Sequence, residues 1–379
     1  MVLTDIKSLT RDELEAQFKS WKQPAYRVTQ LLEWLYVRRA VNWDAMSNLP
    51  KSLLEKLREK FSLHCLELVR KQGAQDTTQK FLWKLADGSL IECVLIPANP
   101  ALYGEASDRH TLCISTQVGC AYGCKFCASG LDGWKRNLTP DEIVEQVLAV
   151  ERLLSSPVSS SSSKEKPMTS TRTTTRMIDN VVVMGMGEPL ANYEHLLKAL
   201  KILNAPWGGG IGARKITIST SGLAPQIRRL AAESLQFRLA ISLHGATDAV
   251  RNRIMPVNRK HPLKELVAAC EQYQIQKGRM LTFEYILIAG VNDAVEQAAP
   301  LAALAKKLFA KVNLIPYNRV EGLPWERPDE KVCEAFLRAL EKQKVTATLR
   351  REKGGDIDAA CGQLRLKTER ELAGPATKN

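Results

Sequence analysis

The stretch TLCISTQVGCAYGCKFCASG, residues 111–130, decides how the rest of the chain is read. "TLCIST" has the alternating, β-branched character of a strand. Behind it come three of the chain's nine cysteines, at 120, 124 and 127. A structural zinc site wants four protein ligands in a tetrahedron, and the run supplies three. Cys113 could be a fourth only from inside the strand, and His110 lies beyond it. Thiolates also hold iron–sulfur clusters; a cubane has four irons, so three protein ligands leave one iron open. The loop after a strand's carboxyl end is where barrel enzymes place their chemistry.

Working outward, strand candidates recur at "TLCIST", "NVVVMG", "KITIST", "RLAISL", "LTFEYILI" and "KVNLI", with helical segments between them. One helix, "DEIVEQVLAVERLL", is introduced by Thr139, with Pro140 at its first position and Glu142 completing a capping box. Six βα units argue for an α/β fold with a parallel sheet, a partial (β/α)6 barrel short of eight-fold closure. Residues 1–75 read as a small helical accessory domain. Thr10 and Glu13 cap "LEAQFKSW", followed by "YRVTQLLEWLYVRRA" and "SLLEKLREKFSL". Residues 76–379 read as the catalytic domain, opening with a hairpin in "KFLWKLADGSLIECVLIP" that turns at Asp87-Gly88. The Ser/Thr-rich stretch 155–176 cannot bury enough apolar surface to offset its ordering and reads as a disordered surface insertion.

The chain has 379 residues, 45% of them apolar, which suits a folded protein of more than one domain. Its net charge of +13 attracts polyanions, nucleic acid first among them. No apolar run is long enough to cross a bilayer, and "MVLTDIKSLTRDEL" lacks a secretory signal pattern. The expected location is the cytoplasm, where clustered cysteines are metal ligands or catalytic groups more often than disulfides.

A second element fits the cysteine site. "MGMGEPL", 184–190, follows the second strand, and its two glycines let a ligand approach the backbone closely. A dinucleotide fingerprint would need glycine at 190, where this chain has leucine. The cysteine run and the G-E-P segment resemble the radical S-adenosylmethionine (SAM) superfamily. "STSG" (219–222), "SLHG" (242–245), "LIPYN" (314–318) and "DIDAACGQL" (356–364) narrow the match. Together they resemble the dual-specificity adenosine-C2 methyltransferases of 23S rRNA and tRNA, over about residues 10–370.

That resemblance implies a [4Fe-4S] cluster on Cys120, Cys124 and Cys127, one per chain, with SAM on its open iron. It implies SAM contacts from Gly187, Glu188, Ser219, Ser242, Leu243, His244 and Asn318. Cys361 would carry the methyl group, Cys113 would be its disulfide partner, and Glu92 the proton acceptor. By residue type alone these are ordinary positions. Glu92 in an alternating strand reads as a solvent-facing charge, Cys113 as a small core residue, His244 as a satisfied core histidine and Ser219 as a strand-end cap. Cys65, Cys93, Cys270 and Cys333 read as packing residues.

The chemistry explains why one enzyme would need both a thiol and a cluster. Carbon 2 of adenine lies between two ring nitrogens and is too electron-poor to attack the methyl of SAM. A carbon radical next to sulfur can add to such a ring. By the resemblance, Cys361 takes a methyl group from one SAM, a second SAM is cleaved reductively to activate it, and Glu92 removes the ring proton. Cys113 then attacks Cys361 to free the base. An electron donor such as flavodoxin would feed the cluster, and the protein would act as a monomer.

RNA would be met by basic residues beside the site loops: Lys135 and Arg136; Arg251, Arg253, Arg259 and Lys260; Arg350, Arg351 and Lys353. The insertion adds Lys164, Lys166, Arg172 and Arg176. Two other readings stay open, a carbon-8 adenosine methyltransferase on the same scaffold and a non-catalytic RNA-binding protein with structural zinc.

Overall fold

The structure, a computed structural model, describes residues 3–74, 77–97, 109–155, 176–350 and 362–373. The chain starts with a short strand, β1 (Thr4–Asp5), and helix α1 (Arg11–Ser20). Thr10 and Glu13 exchange side-chain to backbone hydrogen bonds across the start of α1, so the expected capping box forms. Helix α2 (Tyr26–Leu32) runs on into one wide turn, and α3 (Lys51–Lys60) leads to β2 (Phe61–Ser62), which pairs parallel with β1.

Three antiparallel strands follow: β3 (Glu67–Gly73), β4 (Gln79–Lys84) and β5 (Leu90–Pro97). The hairpin between β4 and β5 turns through Asp87-Gly88, with Gly88 at φ +84°. Strand β3 was not anticipated. "ELVRKQG" is polar and half exposed, and a sheet edge tolerates what a core strand does not.

Strand β6 (His110–Cys113) accepts β5 on one side and begins the parallel region on the other. A small antiparallel pair, β7 (Gln117–Gly119) and β8 (Trp134–Asn137), brackets the cysteine loop. Then come helix α4 (Pro140–Ser155), β9 (Asn180–Val183), α5 (Tyr193–Asn204), β10 (Ile216–Thr220) and α6 (Ala224–Ala232). Next are β11 (Arg238–Ser242), α7 (Asp248–Ile254), α8 (Leu263–Lys277), β12 (Leu281–Leu287), α9 (Ala298–Lys307) and β13 (Ala310–Pro316). Helix α10 (Glu330–Lys342), β14 (Ala347–Leu349) and α11 (Gln363–Ala373) complete the described chain.

One ten-stranded sheet runs β3-β4-β5-β6-β9-β10-β11-β12-β13-β14. All pairings from β6 to β14 are parallel. The six anticipated strands form an open, partial barrel, which β14 extends by one parallel strand. "ATL" is too short to register in a sequence as a strand. The strand cores (Val181, Val183, Ile218, Leu239, Ile241, Phe283, Tyr285, Val312, Leu314) are fully enclosed by the helices around them. The insertion expected at 155–176 falls almost wholly outside the described residues.

Helix α4 explains how the first 63 residues attach. Read as amphipathic, it should turn Asp141, Glu145 and Glu151 to water. All three are buried against the N-terminal helices. Ser8 Oγ donates to Asp141 at 2.7 Å, Lys7 Nζ lies 3.1 Å from Glu145, and Arg39 Nε donates to Glu151 at 2.9 Å. Of the capping box expected at Thr139, the Glu142 half is seen, its carboxylate accepting from the Thr139 N–H at 2.9 Å. Burial pushes the Asp5 carboxyl, 3.9 Å from Lys7, up to about 6.

Breaking a buried pair strands the surviving charge, at about 3 kcal/mol or more. Glu145 also pairs with Arg152 and Lys7 with Asp5, so Glu145→Ala is expected to cost about 3 kcal/mol in urea unfolding, and Glu145→Gln, which keeps an acceptor for both cations, to cost less. Gly119 tests the cysteine-loop hairpin. Its φ is +76°, and an added Cβ would fall 2.0 Å from the Gly133 carbonyl oxygen. Gly119→Ala is expected to lower unfolding stability by more than about 1 kcal/mol, whereas Gly73→Ala, at a site with open space, stays near wild type.

Candidate active site

The cysteine loop is tied at both ends. The Cys120 N–H donates to the Gly133 carbonyl at 3.0 Å, and at the tip the Lys125 N–H donates to Ile254 at 2.9 Å. Cys120, Cys124 and Cys127 line one cavity of about 390 Å³ at the carboxyl ends of the parallel strands. The loop brings three thiols to one space, the donor set that leaves one iron of a four-iron cluster open. Burial pushes the Cys120 thiol up to about 12, with Cys127 adding to it; burial, Cys127 and Cys120 push Cys124 up as well. Three neighbouring thiolates can coexist there only around a strongly cationic centre, so the residues fit the cluster.

The G-E-P segment forms the adjoining wall. Its glycines Gly185 and Gly187 line the cavity and also make room for the protein's own chain. A Cβ on Gly185 would fall 2.7 Å from the Ile114 backbone, and one on Gly187 (φ +99°) 2.6 Å from the Gln117 side chain. The Glu188 carboxylate accepts from the backbone N–H groups of Ser221 (2.7 Å) and Leu190 (3.0 Å). Burial nonetheless pushes its pKa up. It ties the loop after β9 to the loop after β10.

Ser219 and Ser242, on neighbouring strands, face each other with their hydroxyls 3.2 Å apart. His244 holds a left-handed backbone at φ +53°, uncommon for a side chain of its size. Its Nδ1 accepts from the Ile286 N–H at 3.0 Å, and its carbonyl accepts from Asn292 at 2.8 Å. The neutral ring therefore carries its hydrogen on Nε2. Burial, and then Arg251, push its pKa down to about 3. Asn318 lines the same cavity, and its Oδ1 lies 3.4 Å from Arg327. Leu243 does not: its side chain packs in the core, and only its carbonyl belongs to the site's support.

Among the described residues, Glu284, which lines the cavity, carries a buried carboxylate oxygen, Oε2, without a hydrogen-bond partner, and Tyr317 lines the same space. Such a group is costly unless a ligand completes it, and a polar cosubstrate beside the cluster would do so. Sequence reading missed Glu284 and Tyr317. Glu284 sits in "LTFEYILI", where one acidic residue in an apolar strand was the available signal.

Glu92 is buried, not solvent-facing. Its Oε2 accepts from the Gly362 N–H (2.7 Å) and lies 2.9 Å from Lys80 Nζ, while Oε1 accepts from the Arg365 N–H (2.5 Å). It thus caps the start of α11. Cys361 lies outside the described residues. Gly362, which follows it, packs against Ser129 of the cysteine loop so closely that a Cβ would meet that backbone at 2.8 Å. Cys113, at the end of β6, lines the cavity with Lys80.

The expected RNA contacts divide. Arg251 is fully buried and cannot meet a phosphate. Arg136 is paired with Asp87 and Glu142, and Lys135 with Glu369. Arg253, Arg259, Lys260 and Arg350 are exposed, and Arg350 also lines the cavity. Arg176 is held by the Gly210 carbonyl. Arg351 and Lys353, with Lys164, Lys166 and Arg172 of the insertion, lie outside the described residues.

Comparison with known proteins agrees with this site. Residues 114–301 match the family model of the radical SAM superfamily, and residues 4–63 that of the ribosomal RNA large subunit methyltransferase N-terminal domain. The chain is 48% identical over 373 residues to a probable dual-specificity RNA methyltransferase RlmN of Akkermansia muciniphila, covering 98% of each. It is 53% identical over 363 residues to one of Opitutus terrae, covering 96% of this chain and 94% of the relative. A crystal structure of a radical SAM methyltransferase from Sphaerobacter thermophilus superposes with a TM-score of 0.84 at 42% identity, covering 95% of this chain and 98% of that one. With every loop of the cavity accounted for and the likeness extending over nearly its whole length, the chain belongs to the RlmN family of dual-specificity RNA methyltransferases in the radical SAM superfamily.

Proposed function

We propose that this enzyme methylates carbon 2 of an adenosine in 23S rRNA and in tRNA, by way of a methyl group carried on Cys361. The observation that carries this reading is the convergence on one cavity: the three cysteines, the G-E-P loop, the two serines and His244, with Gly362 seated beside them. The superfamily works with a [4Fe-4S] cluster and SAM, which together supply one-electron cleavage of the sulfonium bond. In this reading Cys120, Cys124 and Cys127 hold the cluster. Gly187, Glu188, Ser219, Ser242, His244 and Asn318 orient the cosubstrate, with Leu243 contributing through its backbone.

The remaining residues handle the substrate. Cys361 accepts the methyl group as a thiolate nucleophile. Glu92, whose carboxylate lies 2.9 Å from Lys80 Nζ, takes the proton that carbon 2 must lose. Attack of the Cys113 sulfur on that of Cys361 forms a disulfide and breaks the tether to the base. The target base is unstacked to reach the cavity, and Arg253, Arg259, Lys260 and Arg350 hold RNA phosphates near its mouth. An electron donor such as flavodoxin feeds the cluster, a reductant returns the Cys113–Cys361 pair to thiols, and the protein acts as a monomer in the cytoplasm. Among the described residues no helix is long and apolar enough to cross a membrane.

Anaerobic turnover with methyl-labelled SAM and an RNA fragment is expected to yield 2-methyladenosine; label at carbon 8, or none in RNA, overturns the reading. Cys113→Ala is expected to accumulate a covalent RNA adduct through Cys361, seen as a slow band on denaturing gels. Ready release of methylated RNA would contradict the role of Cys113. Glu92→Gln is expected to lower RNA turnover by about 10²- to 10⁴-fold while peptide mass spectrometry still detects methylated Cys361.

A further inference from the structure

Arg251 lies on α7 and has no exposed surface. Its side chain turns back under the cavity floor. Nη2 donates to the Ser221 carbonyl at 2.9 Å, Nη1 to the carbonyls of Ser242 (3.3 Å) and Leu243, and Nε to Asn258 Oδ1 at 2.8 Å. One guanidinium thus clamps the loops after β10 and β11. The glycines that close "STSG" and "SLHG" accommodate it: a Cβ on Gly222 would come to 3.4 Å from Nη2, and one on Gly245 to 3.1 Å from Cγ.

All four acceptors are neutral. The neighbouring carboxylate, Asp248, is engaged by Asn258 (2.8 Å) and the Leu263 N–H (2.9 Å). Among the described residues none makes an ion pair with Arg251. Desolvation lowers its pKa only to about 10, so the charge persists at neutral pH. A buried charge without a partner costs several kcal/mol, and carbonyl dipoles offset part of that. The carbonyls it holds at Ser221 and Ser242 belong to residues that line the same cavity as Cys124, so the guanidinium lies directly behind the wall that faces the cysteines. Three thiolates on a doubly positive cluster core leave a net negative charge, and one-electron reduction adds another.

We propose that Arg251 is the buried countercharge of the cysteine-held cluster, raising its reduction potential while it positions the cosubstrate loops. This rests on the cluster reading above. Arg251 acts through the loops and the field it creates, so it is a positioning residue. Its charge stabilises the more negative, reduced state in preference to the oxidised one.

The test is an anaerobic redox titration of the reconstituted full-length protein, with the reduced cluster followed by electron paramagnetic resonance in wild type, Arg251→Lys and Arg251→Met. Arg251→Met is expected to shift the reduction equilibrium at least tenfold toward the oxidised state, 59 mV for one electron. Arg251→Lys keeps the charge and is expected to stay within threefold of wild type, though its SAM affinity falls because a single ammonium cannot span three carbonyls. An unchanged potential in Arg251→Met, or a tenfold loss in Arg251→Lys, overturns the proposal. If Arg251→Met does not fold, Arg251→Gln, which keeps an amide donor for the carbonyls and removes the charge, replaces it under the same limits. A wild-type protein that assembles no cluster overturns the underlying reading instead.

Discussion

Most of the cavity is walled by loops that leave the carboxyl ends of strands in the parallel ladder from β6 to β14, and that one-directional pairing is the constraint on which the site depends. Parallel strands need crossover helices, and those helices return the chain to the same starting edge each time. Residues as distant as Cys120, Glu188, Ser219, His244 and Asn318 therefore meet in one space without any of them being near another in sequence. The cysteine loop is the exception to the plain strand-loop-helix scheme. It needs its own two-stranded base, closed at a glycine that no other residue could replace without a clash.

A second theme is the handling of buried charge. Lys7 and Glu145, Arg39 and Glu151, Lys80 and Glu92 are each buried with a partner. The first two pairs join the N-terminal helices to α4, and the third joins the β4–β5 hairpin to the start of α11. Arg251 differs in having only neutral acceptors among the described residues, and Glu284 in turning one carboxylate oxygen without a partner toward the cavity. Groups of this kind gain from a bound cofactor what the fold withholds, so cofactor loading and loop order are coupled.

Glu92 links these themes. Its three donors include two backbone N–H groups at the head of α11, so the residue read as proton acceptor also anchors the helix that follows Cys361. Withdrawing those donors would free the carboxylate and the start of the helix together. Nothing in the alternating pattern of "LIECVLIP" announces this, because whether a strand's outward residue meets water or another element is decided by what packs on that face.

The sequence by itself determined the repeating strand and helix order, the hairpin at Asp87-Gly88, the cap at Thr10 and the three-cysteine run, because these follow from local periodicity, turn chemistry and residue spacing. Tertiary structure alone decided the antiparallel edge strand β3, the added strand β14 and the burial of Asp141, Glu145 and Glu151. It likewise decided that Leu243 faces the core, that Arg251 supports the site instead of touching RNA, and that Glu284 opens onto the cavity. Each of those depends on which distant segment covers a given face, and a side chain's local pattern carries no record of its distant neighbours.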